Sequence, residues 1–172
     1  MFFLVRDLEL RPKQFDVDIA PGKIDFLDPQ IRQVLPLKAK GKAELVSGAL
    51  LEIRLTGHVT TRIEADCDRC LEKAEFPVDS EFDLLYRPAS EDGAPETPLN
   101  AEEAQMGFYE GDGLQLEDVF REFVLLTLPM QRVCKEGCKG LCPVCGQSRN
   151  LSDCHCESRK TDDRWAALKS LQ

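Results

Sequence analysis

Along the first half of the chain, apolar residues recur at every second position. FDVDI alternates Phe15, Val17 and Ile19, and ALLEIRL puts Leu51, Ile53 and Leu55 on one face. HVTTRIEA alternates Val59, Thr61, Ile63 and Ala65, and FPV with EFDLLY offers Phe76, Val78, Phe82, Leu84 and Tyr86. A period of two sends alternate side chains to opposite faces of a strand, so these runs predict an antiparallel meander with one buried face. The short break at Gly57 predicts hairpin neighbours over 50–56 and 58–66. DPQIRQVLP, residues 28–36, reads as a turn or a short helical piece. The period then changes. In LQLEDVFREFVLLTLP, Leu116, Val119, Phe120, Phe123 and Val124 fall at helical spacing, Glu117 and Asp118 sit in the first turn, and Pro129 ends the run. That spacing predicts a helix over about 114–128 whose apolar stripe covers the sheet, with acids at its positive dipole end. TDDRWAALKSL offers Thr161 or Asp162 as an N-cap, with Trp165, Leu168 and Leu171 on one side, and predicts a short terminal helix.

Composition changes the picture between these elements. RPASEDGAPETPLNAEEAQMGFYEGDG, residues 87–113, is rich in Pro, Gly, Ala and acid and reads as a long acidic loop. The chain has 172 residues and a net charge of −9, and the charge is segregated: +2 over 1–62, −14 over 63–127 and +3 over 128–172. Such a balance argues against indiscriminate nucleic-acid binding but leaves room for local basic faces. Lys38, Lys40 and Lys42 form one candidate; Arg132 and Lys139, with Lys135 and Arg149, form another. No run approaches the roughly 20 apolar residues of a membrane span. MFFLVRDLEL lacks a basic leader segment, so a reducing, cytoplasmic setting is expected.

In that setting eight cysteines are metal ligands rather than disulfides. They come in four local pairs: Cys67 and Cys70, Cys134 and Cys138, Cys142 and Cys145, Cys154 and Cys156. Zinc takes four ligands in a tetrahedron, so four chelating pairs suggest two closed sites and a small zinc-knuckle region. The eight residues between Cys145 and Cys154 make a loop that closes at little entropic cost. This favours Cys142, Cys145, Cys154 and Cys156 as one set, leaving Cys67, Cys70, Cys134 and Cys138 as a second that staples a hairpin to the chain after the helix. The alternative gathers four of the six C-terminal cysteines on one zinc and leaves Cys67 and Cys70 a free pair. His155, between two ligands, reads as surface, and His58, in a strand, as structural. No nucleophile elbow, Walker loop, zincin helix or dinucleotide fingerprint is present, and an enzyme is not expected.

CDRCLE after an alternating strand resembles the signature of the YceD family, the large ribosomal RNA subunit accumulation proteins. CKEGCKGLCPVCG, the following Cys-x-Cys, LLTLP and DDRWAALKSL resemble the cysteine-rich C-terminus of its metal-binding members. Where the family often reads Asn-Leu-Asn after the second knuckle, this chain has Ser148, Arg149, Asn150 and Leu151. The resemblance implies a non-enzymatic role in ribosome biogenesis, with ribosomal RNA or a large-subunit ribosomal protein as partner and no membrane or small-molecule substrate. The expected fold class is α+β: an antiparallel β-sheet meander covered by one amphipathic helix, with a zinc-knuckle region and a short terminal helix. The expected division is 1–133, mainly β, and 134–172, cysteine-rich. Two rival readings are a zinc-thiolate redox switch or chaperone, and a DNA-binding zinc module, which would need a more basic helix.

Overall fold

The computed structural model describes residues 1–46, 51–89 and 106–156. Its elements run β1 (Phe2–Leu4), α1 (Val5–Leu10), β2 (Lys13–Ile19), β3 (Arg32–Leu45), β4 (Ile53–Asp66), β5 (Lys73–Pro88), β6 (Gly107–Tyr109), β7 (Gly113–Gln115) and α2 (Leu116–Thr127). The larger sheet has the order β2–β3–β4–β5–β6, and β1 pairs with β7 in a small antiparallel ribbon. By its internal contacts the chain forms two compact units. The first is Met1–Ala65 with Glu75–Met130, and the second is Asp66–Ala74 with Gln131–Gln172. The terminal helix expected over 161–171 lies outside the described residues.

In the first unit β2, β3 and β4 are antiparallel neighbours. On the exposed face of β4 and β5, Arg54 meets Asp83, His58 meets Asp79 and Arg62 meets Glu75. One number rises as the other falls, which marks β4 and β5 as antiparallel too. At the edge the meander expectation needs correction. β6 joins β5 in parallel, Tyr86 opposite Gly107 and Pro88 opposite Tyr109, as the long connection between them permits. The acidic loop expected over 87–113 is correspondingly narrower, because β5 reaches Pro88 and β6 and β7 take up part of the rest; residues 90–105 lie outside the described residues.

Two further expectations change. The piece expected over 28–36 gives way at Arg32 to β3. Its pairing with β4 shifts between Gln33 and Leu35 and again between Leu35 and Lys38. These bulges accommodate Pro36, which has no N–H for the ladder. The Leu35 carbonyl accepts from the Gln33 amide at 2.8 Å and from the Thr61 hydroxyl at 3.0 Å. Gly57 is not a hairpin break. β4 runs through it, and it lies opposite Gly41 of β3.

The reason is aromatic. Leu37, Ala39 and Ala43 of β3, and Ile53, Leu55, Val59 and Ile63 of β4, face the core, and both glycines fall in those inward rows. A β-carbon at Gly41 would lie 2.8 Å from the Phe15 ring, and one at Gly57 would lie 2.8 Å from the Phe82 ring. The two rings stack at 6.4 Å over the space the glycines leave, and Phe120 of α2 stands 6.2 Å from each. Leu116, Val119, Phe120 and Val124 are the buried residues of α2. Gly57→Ala would press a methyl against the Lys40 carbonyl as well as Phe82. It is expected to lower stability by about 1–3 kcal/mol, as overpacking does; chemical denaturation measures it, and an unchanged midpoint would show that the rings do not need the gap.

Candidate metal centre

The second unit begins as a turn. In Cys67-Asp68-Arg69-Cys70-Leu71-Glu72, the Leu71 N–H donates to the Cys67 carbonyl at 2.8 Å and the Cys67 N–H to the Glu72 carbonyl at 2.9 Å. Cys142-Pro143-Val144-Cys145-Gly146-Gln147 repeats the pattern: Gly146 donates to Cys142 at 2.9 Å and Cys142 to Gln147 at 2.8 Å. Both turns need a left-handed residue after the second cysteine. Gly146 supplies it at φ 73°, and Leu71 supplies it at φ 60° with a β-carbon in place, a conformation only glycine visits freely. The stretch 131–141 then lies against the first turn. Asp68 donates its N–H to the Arg132 carbonyl at 2.8 Å and accepts the Arg132 N–H on its carboxylate at 2.7 Å. The Leu141 N–H donates to the Arg69 carbonyl at 3.0 Å.

These contacts bring the eight cysteines together in two sets of four: Cys67, Cys70, Cys134 and Cys138, and Cys142, Cys145, Cys154 and Cys156. Within each set the sulfurs lie within 4.8 Å of one another. Cys67 and Cys138 are 3.9 Å apart, and Cys70 and Cys134 are 3.7 Å apart. A disulfide would need about 2.05 Å, whereas a tetrahedron with metal–sulfur bonds of about 2.3 Å has edges of about 3.8 Å. The spacing therefore fits a shared cation and not a covalent bridge. The sets differ in cover. Cys67, Cys70 and Cys138 are buried and Cys134 half-buried; in the second set Cys142 is buried, Cys154 half-buried, and Cys145 and Cys156 exposed. His155 is exposed and His58 binds Asp79 at 2.7 Å.

The electrostatics also fit a cation. Burial pushes the Cys67 thiol up, but backbone N–H groups, led by that of Cys134 at 3.3 Å, outweigh it and bring the thiol down to about 6. At Cys70 the Glu72 N–H pulls down, while burial and the neighbouring sulfurs push harder, to about 12. In the second set the N–H groups of Cys145 and Val144 lower Cys142 to about 6, and the Cys145 sulfur raises Cys156 to about 12. In the first set Cys67 and Cys138 are lowered while Cys70 and Cys134 are raised, and in the second Cys142 is lowered while Cys154 and Cys156 are raised; each set ionises in part and resists going further, as crowded thiolates do until a cation compensates them. Asn150 adds support that sequence reading missed. Its side-chain amide donates to Cys138 at 3.4 Å while its oxygen accepts the Lys139 N–H at 2.9 Å. Only a side chain with both a donor and an acceptor does this, and its place in an irregular loop gave no periodic signal.

The candidate basic residues carry acidic neighbours. Lys40 pairs with Asp16 at 2.9 Å, Lys42 with Glu44 at 2.7 Å, Arg132 with Asp68 at 3.6 Å and Lys139 with Asp153 at 3.4 Å. Lys38 lies opposite Asp18 across the β2–β3 ladder.

Residues 55–172 match the family described as large ribosomal RNA subunit accumulation protein YceD. The chain belongs to the YceD family. It is 32% identical over 152 residues to an uncharacterized protein of Mycobacterium tuberculosis, covering 88% of this chain and 70% of that protein. The uncharacterized protein YlbN of Bacillus subtilis is 24% identical over 99% of this chain and 96% of its own length. A Zea mays relative named large ribosomal RNA subunit accumulation protein YCED homolog 1, chloroplastic, is 26% identical over 87% of this chain and 57% of its own length. No solved structure matches.

Two outcomes are expected for this YceD chain. Purified under reducing conditions and challenged with a chelator or mild peroxide, it should lose the metal of the exposed set first and that of the buried set only with unfolding. Metal content followed beside circular dichroism checks this, and simultaneous loss would reject unequal cover as the controlling factor. Leu71→Gly should raise the thermal midpoint, by about 0.5–1 kcal/mol in stability, because relief of left-handed strain exceeds the added flexibility of the unfolded chain. A fall would show that the leucine side chain contributes a contact of its own.

Proposed function

We propose that this chain is a non-enzymatic ribosome-biogenesis factor of the cytoplasm, held by two structural zinc ions, that promotes accumulation of large-subunit ribosomal RNA. The observation that carries the reading is the family match over 55–172, joined by a plant relative whose name states that role. Zinc is the metal that four thiolates in a tetrahedron favour, and a fourth sulfur leaves no open position for water or substrate. The sites hold shape, and the work lies in binding.

The direct partner is a basic protein of the large subunit. RNA contact at Lys38, Lys40, Lys42, Arg132 and Lys139 is disfavoured by the acids that neutralise or face them. The second unit adds to this. Its described residues hold six Lys and Arg against five Asp and Glu, and each four-thiolate zinc brings a further −2. The switch reading rests on the exposure of Cys145 and Cys156 alone, and the order of metal loss bears on it.

Depleting the protein should lower large-subunit ribosomal RNA relative to small-subunit RNA. Re-expression of the natural chain should restore the ratio, and Cys67→Ser, which opens the buried set, should not. An unchanged ratio on depletion rejects the reading.

A further inference from the structure

Between β6, β7 and α2 the first unit opens a cleft of about 530 Å³. Its walls combine two chemistries. Phe2 and Phe108 line it although 48% and 61% of their surfaces are exposed, and Tyr86 lies beside them. Glu110, Asp118 and Glu122 supply carboxylates, with Arg121 as the cation present. Arg121 is committed to Asp118 at 2.6 Å, and Glu122 accepts the Tyr86 hydroxyl at 3.2 Å. Glu110 has no ion-pair or hydrogen-bond partner among the described residues. Among the described residues the carboxylates of Glu110 and Glu122 thus have no cation paired with them, beside exposed aromatic faces. Tyr86 and Glu122 also line a second cleft of about 360 Å³, whose other walls include Leu84, Met106, Phe123 and Leu126. The two clefts thus share two walls; the first is acidic and aromatic, the second largely apolar.

From this geometry we infer that the cleft binds an arginine-rich segment of a partner protein, a guanidinium seated between the aromatic rings and the carboxylates and an adjacent apolar residue in the second cleft. Cations are drawn to aromatic faces as well as to carboxylates. Arginine suits the site better than lysine because its flat, weakly hydrated group stacks and bonds at once. A nucleic-acid strand would also stack on the rings, but its phosphates would meet Glu110 and Glu122. The inference deepens the functional reading above by naming the partner's chemistry and the surface that takes it.

The test uses the metal-loaded full chain and a capped peptide of arginines flanking one leucine, with matched peptides carrying citrulline or lysine and a single-stranded oligouridylate. Calorimetry should show the arginine peptide binding, the lysine version more weakly, and no heat from citrulline or RNA. Phe108→Ala should weaken binding on the order of fivefold, the range of a cation–aromatic contact. Glu110→Gln should weaken it similarly, whereas Asp79→Asn, an equal change in charge on the exposed face of the sheet, should not. Both cleft residues are exposed, so folding should be kept; an unchanged thermal midpoint checks this. Equal binding of citrulline, equal loss with Asp79→Asn, or preference for the RNA overturns the inference. Failure of the peptide while depletion still lowers large-subunit RNA rejects the cleft alone. Binding of the peptide while depletion has no effect rejects the functional reading and leaves the cleft.

Discussion

Four sulfurs that converge from two stretches more than sixty residues apart are what the second unit is organised around. Among the described residues its buried apolar cluster consists of Cys67, Cys70 and Cys138, with Val133 and Cys134 packed against them. A cluster of that size is too small to hold a unit by packing alone, which is where small domains turn to disulfides or metals. Here the cysteines are the core and also the side chains placed to hold a cation. Without a cation the same sulfurs are crowded thiols, two lowered and two raised; a cation shared by all four would be the strongest interaction available to this part of the chain. The hydrogen bonds of Asp68 with Arg132, of Arg69 with Leu141, and of Asn150 with Lys139 and Cys138 orient the ligands and do not replace them.

The two cysteine turns show how little sequence is needed to make such a turn and how much variation it tolerates. The same pair of backbone hydrogen bonds forms in both, although the residues between the cysteines are Asp and Arg in one and Pro and Val in the other. What the turn requires is a left-handed residue after the second cysteine. Gly146 meets that requirement without strain. Leu71 meets it against its own preference and leaves its side chain 65% exposed. Strain of this kind persists where surrounding bonds over-determine the backbone, and the first turn is tied at Cys67, Asp68, Arg69 and Leu71.

The parts of the molecule readable from sequence are those with local causes. Chelating pairs sit a few residues apart, and the four-ligand rule limits how they combine, so the grouping of the cysteines could be anticipated from spacing. β2 and β5 announce themselves by alternation. β3 does not, because its outward row is lysine and its inward row is Leu37, Ala39, Gly41 and Ala43, mostly residues too small to register as hydrophobic, with Pro36 standing as an apparent stop. Gly57 looked like a break for the same reason. Its role is fixed by Phe82, 25 residues later, and by Gly41 across the ladder, neither of which a local window contains. The parallel pairing of β6 depends on a long crossover, and Asn150 on a sulfur twelve residues away.

Charge raises the last point. An RNA-binding member of a family named for ribosomal RNA would ordinarily display unpaired lysine and arginine, because neutralising phosphates and releasing their counterions dominates RNA affinity. This chain has −9 overall, four of its five candidate cations lie within 4 Å of a carboxylate, and two zinc–thiolate centres would add to the negative charge. Its field repels a polyanion and attracts a polycation. Proteins that coat ribosomal RNA must themselves be cationic, and before they reach it they need a surface that competes with RNA for their arginines. An acidic protein whose aromatic rings and carboxylates share one cleft has the chemistry to hold such a segment and release it to the stronger field of the RNA. On that account an effect on RNA accumulation does not require that this protein touch RNA.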